Sequence, residues 1–232
     1  MHYQATALAC WRDTIAVGLD SGDIVILDGI TGIQTAILSR HSYWVTSLAF
    51  LPDGTSLVSG SIGRTIKLWD IQTGGVVKTF QGHTDLVGSV SISADCMMVA
   101  SRSLDKTIHL WDIQTKECCC VIQQPTTVYH VRFSPTDPQH LMFVSDDKVW
   151  QWDINGHQIN PTYDGSNIAF SPDGTQFVLC QEENIVVQCT DSGAIVAKFH
   201  MVNVRATLDR SSIRTPSERL CTVHVSLIQA TS

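Results

Sequence analysis

The sequence predicts an all-β protein assembled from repeated four-stranded antiparallel units, and three observations carry that prediction. The chain repeats itself: Trp69-Asp70 and Trp111-Asp112 lie 42 residues apart, Trp152-Asp153 follows 41 residues later, and a weaker echo, Leu27-Asp28, precedes the first pair by 42. Between these marks, apolar and β-branched residues alternate in short runs broken by turn clusters such as Asp20-Ser21-Gly22 and Pro52-Asp53-Gly54, the pattern of half-buried strands. The 232 residues, 44% of them hydrophobic, suffice to pack the core of one large all-β domain or two small ones.

The unit is clearest from Gln81 to Asp112. It opens on Gly82-His83, runs through two alternating segments, turns at Leu104-Asp105-Lys106 and closes on Ile108-His109-Leu110-Trp111-Asp112. A period of about 40–45 residues bearing Gly-His and Trp-Asp marks is the pattern of a four-stranded propeller blade. On Gly82-His83, Ser101, Asp105 and Trp111-Asp112, with Ser59 and Trp69-Asp70 next in strength, the chain resembles the WD-repeat β-propeller family over roughly residues 4 to 200. The resemblance implies a β-propeller of four-stranded antiparallel blades. About five are legible, an incomplete ring beside the roughly seven blades usual in the family, within the four to eight that propellers use.

The first blade reads as Ala5 to Cys10, Thr14 to Leu19, Asp23 to Asp28 and Gln34 to Leu38, with Leu27 where the others carry Trp. The second begins at Arg40-His41 and continues through Val45 to Phe50, Ser56 to Ser61, Thr65 to Asp70 and Val76 to Gln81. Its Pro52-Asp53-Gly54 turn has a physical basis, since Pro presets φ and Gly accepts a positive one. The third ends in Cys118 to Gln123. The fourth runs Val128 to Phe133, His140 to Ser145, Lys148 to Asp153 and a short Gln158 to Asn160, its second turn compressed to Asp146-Asp147. The fifth has Asn167 to Phe170, Pro172-Asp173-Gly174, Gln176 to Gln181, Ile185 to Thr190 and Ala194 to His200, with Cys189 at the Trp position. Blades 4–38, 42–81, 84–123, 126–160 and 163–200 are expected to form one propeller domain, 1–200. Residues 201–232 contain no Gly and no Trp-Asp, and Arg205, Arg210, Arg214 and Arg219 give them a linker-like character. This tail is expected to be disordered and foreign to the repeat, the product of altered splicing or a shifted frame.

A net charge of −7 with 15 Lys and Arg argues against a surface that tracks phosphates, so nucleic acid is not an expected partner. No apolar run approaches the roughly 20 residues needed to span a bilayer, and Trp11-Arg12-Asp13 interrupts any signal segment, so a cytoplasmic protein without a membrane partner is expected. Cys10, Cys96, Cys180 and Cys189 fall in alternating apolar segments, where a thiol packs as a small hydrophobe. In Cys118-Cys119-Cys120, neighbours on a strand point to opposite faces, so at most Cys118 and Cys120 share a side, and no Cys or His joins them at ligand spacing. No metal site and no cofactor are expected.

In the third blade the resemblance assigns His83, Ser101, Asp105 and Trp111 to one hydrogen-bonded chain that ties the loop leading into the blade to its second and third strands. Buried polar atoms need partners, and a chain from indole N–H through hydroxyl and imidazole to carboxylate satisfies each of these groups. The second blade keeps His41, Ser59 and Trp69 but has Gly63 in place of Asp; the fourth offers Ser145, Asp147 and Trp152 but Gln124-Pro125 near the His position. Ser, His and Asp together also suggest a hydrolase triad. Ser101, however, lies mid-strand rather than at an exposed, strained turn beside oxyanion donors, so a structural role is expected and no catalytic residue is assigned.

A propeller of this kind is most often a rigid interaction platform, and fold alone does not confer catalysis. A protein or peptide partner is expected on the face that carries the loops leading into each blade and those joining strands two and three. Tyr43, Trp44, Arg64, Leu86, Lys106 and Tyr129 stand there, and exposed aromatic and Arg side chains are the types that anchor interfaces. Trp44 and Leu86 occupy equivalent positions and alternatively plug the channel mouth. The wording of 66–74 (IKLWDIQTG), 90–95, 133–141 and 149–157 is similar to fungal proteins in which a NACHT-type NTPase precedes a long WD-repeat array. That resemblance implies the ligand-sensing or regulatory arm of a larger signalling protein. No G-x-x-x-x-G-K-[ST] occurs, so the chain itself is expected to be a non-enzymatic scaffold. A truncated or decayed copy without independent function, and a propeller hydrolase, stay open as alternatives, and open blade edges are expected to favour self-association.

Overall fold

The computed structural model describes residues 3–154, 157–171, 173–181, 184–190 and 192–200. Among them there are twenty strands and no helix. The first sheet comprises β1 (Ala5–Trp11), β2 (Thr14–Leu19), β3 (Asp23–Asp28) and β4 (Gln34–Ser39); the second β5 (Val45–Phe50), β6 (Ser56–Ser61), β7 (Thr65–Asp70) and β8 (Gly75–Gln81). The third comprises β9 (Val87–Ile92), β10 (Met98–Ser103), β11 (Thr107–Asp112) and β12 (Cys118–Gln123); the fourth β13 (Val128–Phe133), β14 (His140–Ser145), β15 (Lys148–Asp153) and β16 (His157–Asp164). The fifth comprises β17 (Ile168–Phe170), β18 (Gln176–Gln181), β19 (Asn184–Cys189) and β20 (Ile195–His200). Within each sheet the strands lie in chain order, each antiparallel to the next, so the protein is all-β and its sheets have the form of propeller blades.

Turn chemistry spaces these strands. In the first three sheets the Asp that ends the third strand accepts from the backbone N–H three residues on: Thr31 to Asp28, Thr73 to Asp70 and Thr115 to Asp112, at 2.7, 2.8 and 2.6 Å. These Asx turns carry the chain back into the fourth strand through a left-handed residue, Gly32, Gly74 or Lys116. Between β14 and β15 the link has only Asp146 and Asp147, at φ 59° and 55°, whereas β6 to β7 and β10 to β11 use three residues. Two left-handed residues in a row make the tight hairpin turn, which shortens the path by one residue.

Each sheet is apolar on both faces and packs one face on its neighbour. Ile24, Ile26 and Leu38 of the first sheet meet Val45, Leu57 and Trp69 of the second, while the second sheet's opposite face, with Val58, Ile66 and Phe80, meets Val90, Val99 and Trp111 of the third. The pattern continues with Ile108, Leu110 and Ile122 against Val131, Leu141 and Phe143, then Met142, Val144 and Val149 against Ile168, Phe177 and Leu179. The first strands succeed one another, β1 against β5, β5 against β9, β9 against β13 and β13 against β17. A cavity of about 540 Å³ is lined by parts of β1, β5 and β9 together with Arg132.

Three expectations are corrected. β16 is not the short Gln158 to Asn160 segment but runs to Asp164, its register with β15 shifted between Val149 and Gln151. Cys10 is exposed, and Cys96 lies in a turn at φ 61°, so neither packs as a core thiol. The residue at the Trp position of the fifth sheet is Gln188, not Cys189: as with Trp69 and Trp111, its pairing with the fourth strand is where the register shifts. The tail 201–232 and Pro172 lie outside the described residues.

Candidate functional site

Four side chains of the third sheet form a single hydrogen-bonded chain. Trp111 Nε1 donates to Ser101 Oγ at 2.8 Å, Ser101 Oγ lies 2.8 Å from His83 Nε2, and His83 Nδ1 lies 2.9 Å from Asp105 Oδ2. The direction follows from the ends: an indole only donates and a carboxylate only accepts, so the serine hydroxyl donates to Nε2 and the imidazole donates through Nδ1. Asp105 also accepts from Thr84 N at 2.9 Å, Thr107 N at 2.9 Å and Thr107 Oγ1 at 2.6 Å. Burial alone would raise its pKa, but the bonds from Thr107, Thr84 and His83 outweigh that and hold it down to about 2. His83 is lowered by burial, with Asp105 opposing the shift. Ser101 is fully buried and already engaged by Trp111, so its oxygen is not presented to a substrate carbonyl.

The second sheet repeats part of this chain. Trp69 Nε1 donates to Ser59 Oγ at 2.8 Å, which lies 2.6 Å from His41 Nε2. With Gly63 at the turn, the outer imidazole nitrogen finds only Thr65 Oγ1, at 3.4 Å. His41 therefore has no anion to favour its charged form, and burial followed by the charge of Lys67 pulls its pKa to about 3.

In the fourth sheet the expected group is not assembled. The cross-strand register Val128↔Ser145 makes Ser145 the counterpart of Ser61 and Ser103, which pair with Val45 and Val87, and not of Ser59 and Ser101. Ser145 bonds instead to Thr126 Oγ1 at 2.6 Å and to the Thr127 carbonyl at 3.3 Å. Phe143, paired with Trp150, holds the place that Ser59 and Ser101 hold, so the Trp152 indole is buried without a partner. Asp147 forms the tight turn, and Gln124 stands four residues before the first strand, where the second and third sheets have His. The same register puts Val17 in the first sheet and Leu179 in the fifth at the serine position.

Tyr43, Trp44 and Tyr129 are 59%, 50% and 50% exposed; Arg64 and Lys106 are exposed as well, while Leu86 is half-buried. The loops carrying them are pinned alike, Ile62 N donating to Trp44 O at 3.0 Å and Leu104 N to Leu86 O at 3.1 Å. This places Trp44 and Leu86 at equivalent points beside the left-handed Arg64 and Lys106. Tyr43 lies over Gly63, where a Cβ would come within 3.0 Å of its ring. Residues that sequence reasoning missed stand nearby. His109 stacks on His83 with ring centroids 4.0 Å apart and its Nδ1 unpartnered, and burial followed by the charge of His83 lowers its pKa to about 4. Arg102, His130 and Arg132 lie on strands that read as ordinary alternation, and nothing in the sequence marks them.

Replacing Asp105 by Ala removes the carboxylate from the buried His83 Nδ1, leaving it Thr107 Oγ1 at 3.2 Å, and is expected to lower stability by about 1–3 kcal/mol. The urea midpoint measures this, and an unchanged midpoint at unchanged slope contradicts the arrangement. His41, His109 and His130, the last lowered to about 4 by burial and then by Arg132 and Arg102, all fall below the ordinary imidazole value. The unfolded chain therefore takes up these protons first: the stability they contribute is complete above about pH 6.5 and declines as pH falls through the folded values near 4 and 3. The urea midpoint is expected to drop between pH 7 and 5, and less steeply in His41→Gln; a flat profile in the native chain contradicts it.

Residues 32–70 and 74–112 match the model of the family described as WD domain, G-beta repeat. Among curated proteins, the chain is similar to U3 small nucleolar RNA-associated protein 21 of Saccharomyces cerevisiae, 38% identical over 65 residues, which are 28% of this chain and 7% of that protein. It is 35% identical over 67 residues to the 26S proteasome regulatory subunit RPN14 of the same yeast, 29% of this chain and 16% of that one. It is 41% identical over 71 residues to WD repeat and SOCS box-containing protein 1 of Danio rerio, 30% and 17% of the two chains. The chain thus spans less than a fifth of the length of these relatives. The two matched segments carry WD40 repeats, and the five four-stranded antiparallel sheets are consistent with blades of that kind.

Proposed function

We propose that the chain is a non-enzymatic platform for a protein partner, the regulatory arm of a larger signalling protein working in the cytoplasm. The observation that carries this reading is the exposure of Tyr43 and Trp44, on a loop pinned by the backbone bond from Ile62 N to Trp44 O, and of Tyr129 near the start of β13. Exposed aromatics on a rigid frame lose little conformational freedom on binding and bury large areas, which makes them the usual anchors of an interface. Relatives named as a regulatory subunit and as a SOCS-box protein are in keeping with such a role. The test compares the proteins retained by the immobilised chain with those retained by Trp44→Ala/Tyr129→Ala and by Met97→Ala, an exposed change in the turn between β9 and β10. At least tenfold loss of a specific partner in the first variant and none in the second is expected; equal retention by all three, or ester or peptide hydrolysis abolished by one point change, overturns the reading.

A second reading rests on the outer faces of the first and fifth sheets. Phe80 is 1% exposed because the third sheet covers it, whereas Phe199, at the same register position in the fifth sheet, is 57% exposed. The first sheet likewise bares Leu8 and Ile37 on the face that in the second sheet carries Trp69. These two faces are of the kinds that meet at every junction between successive sheets, so a second copy can lay its first sheet on this copy's fifth. Sedimentation is expected to show concentration-dependent association that Phe199→Lys abolishes. A concentration-independent monomer contradicts this second reading and leaves the first standing.

A further inference from the structure

Two guanidinium groups and an imidazole stand together without an acid at the junction of the third and fourth sheets. Arg132, on β13, borders the cavity and is fixed by its Nη1, which donates to Val131 O at 3.0 Å, Ser89 Oγ at 3.1 Å and Val90 O at 3.3 Å. Arg102, on β10, lies across Gly88, where any Cβ would overlap the guanidinium, so the glycine makes its seat. Its Nε is buried and has no hydrogen-bond partner. The ion pairs among the described residues are His83 with Asp105 and His140 with Asp137, and neither Arg is in one. Arg102 is lowered to about 10 by burial and then by the charge of Arg132, and His130 is depressed by burial and by both guanidiniums, so the three groups sense one another. At neutral pH both arginines stay charged and His130 is neutral, with a ring N–H to donate.

Half-buried cations held side by side are unfavourable unless an anion compensates them. A guanidinium presents a planar fork of donors that fits two oxygens of one carboxylate or phosphate. We propose that Arg102, Arg132 and His130 form a binding site for an oxyanion, a phosphate or a carboxylate. Arg102 supplies the free fork, Arg132 the charge already held in place by its backbone bonds, and His130 a neutral donor. The proposal does not rest on the aromatic platform, although Tyr129 adjoins Arg102 and His130: a free ion is enough to test it.

Thermal unfolding of the whole chain is measured in rising sodium phosphate against sodium chloride at equal ionic strength, with sodium acetate as the carboxylate arm. A saturable rise of the melting temperature is expected in phosphate or acetate and not in chloride, because a ligand that binds only the folded chain stabilises it by mass action. Arg102→Met is expected to lose the saturable part while unfolding, in chloride, at no lower temperature than the native chain. If Arg102→Met does not fold, Arg102→Lys, which keeps the charge and loses the fork, is expected to need at least tenfold more anion for half the effect. The His130 ring, followed by NMR, is expected to take up its proton at higher pH once the anion is bound. A response that grows without saturating, one equal to that in chloride, or one unchanged in the Arg102 variants overturns the proposal.

Discussion

A four-stranded sheet that is apolar on both sides cannot stand alone in water, and this constraint governs the rest of the structure. The row Leu48, Ser59, Lys67, Thr79 and the row Ala49, Val58, Leu68, Lys78 lie on opposite faces of the second sheet. The first belongs to the face turned toward the first sheet and the second to the face turned toward the third. Each junction therefore sets one kind of face against the other. The hydrophobic energy is shared between neighbours and does not reside in any single sheet, which is why such repeats depend on stacking.

Against that non-directional background the polar chain acts as a pin. Apolar contact tolerates a sheet sliding by a residue; the bonds from Trp111 to Ser101 and on to His83 do not, because each needs its partner within hydrogen-bonding reach. They fix the loop leading into the sheet to its two middle strands. The third sheet has the full chain and the second a version lacking the carboxylate, while the first, fourth and fifth have Val17, Phe143 and Leu179 at the serine position and rely on packing. In the fourth sheet the exchange shows in the stacking of Phe143 on Trp150, parallel within 7°, and in the orphaned indole of Trp152.

Strand existence and order were legible because a six-residue alternation repeats at a fixed spacing, and the middle strands of the first, second and fourth sheets could be read to the residue. What failed was register across a turn. Ser145, Asp147 and Trp152 have the right identities in the right order, but the link of Asp146 and Asp147 is one residue shorter than its counterparts, and that shifts which residues face each other. The same kind of slip moved the Trp position of the fifth sheet from Gln188 to Cys189. Arg102 was illegible for another reason: a sequence shows a lone cation in a strand, not the missing Cβ of Gly88 beneath it.

Gly88 ties the polar pin and the cationic cluster to the repeat itself. At the matching place near the start of the first strand, Thr6 Oγ1 donates to Val45 O and Thr46 Oγ1 donates to Val87 O, so a threonine bonds each of the first two sheets to the next. In the third sheet this position is Gly88, which has no side chain to make that bond, and the space it leaves is taken by the Arg102 guanidinium. The junction between the third and fourth sheets is bridged instead by Arg132, reaching back to Ser89 and Val90. A neutral, self-satisfied tie has thus been exchanged for two cations, one of them with its Nε unsatisfied. Packing alone does not ask for that exchange, because threonine already solves the junction twice. An unmet donor in a place where the repeat has a cheaper solution points outward, to something the chain meets.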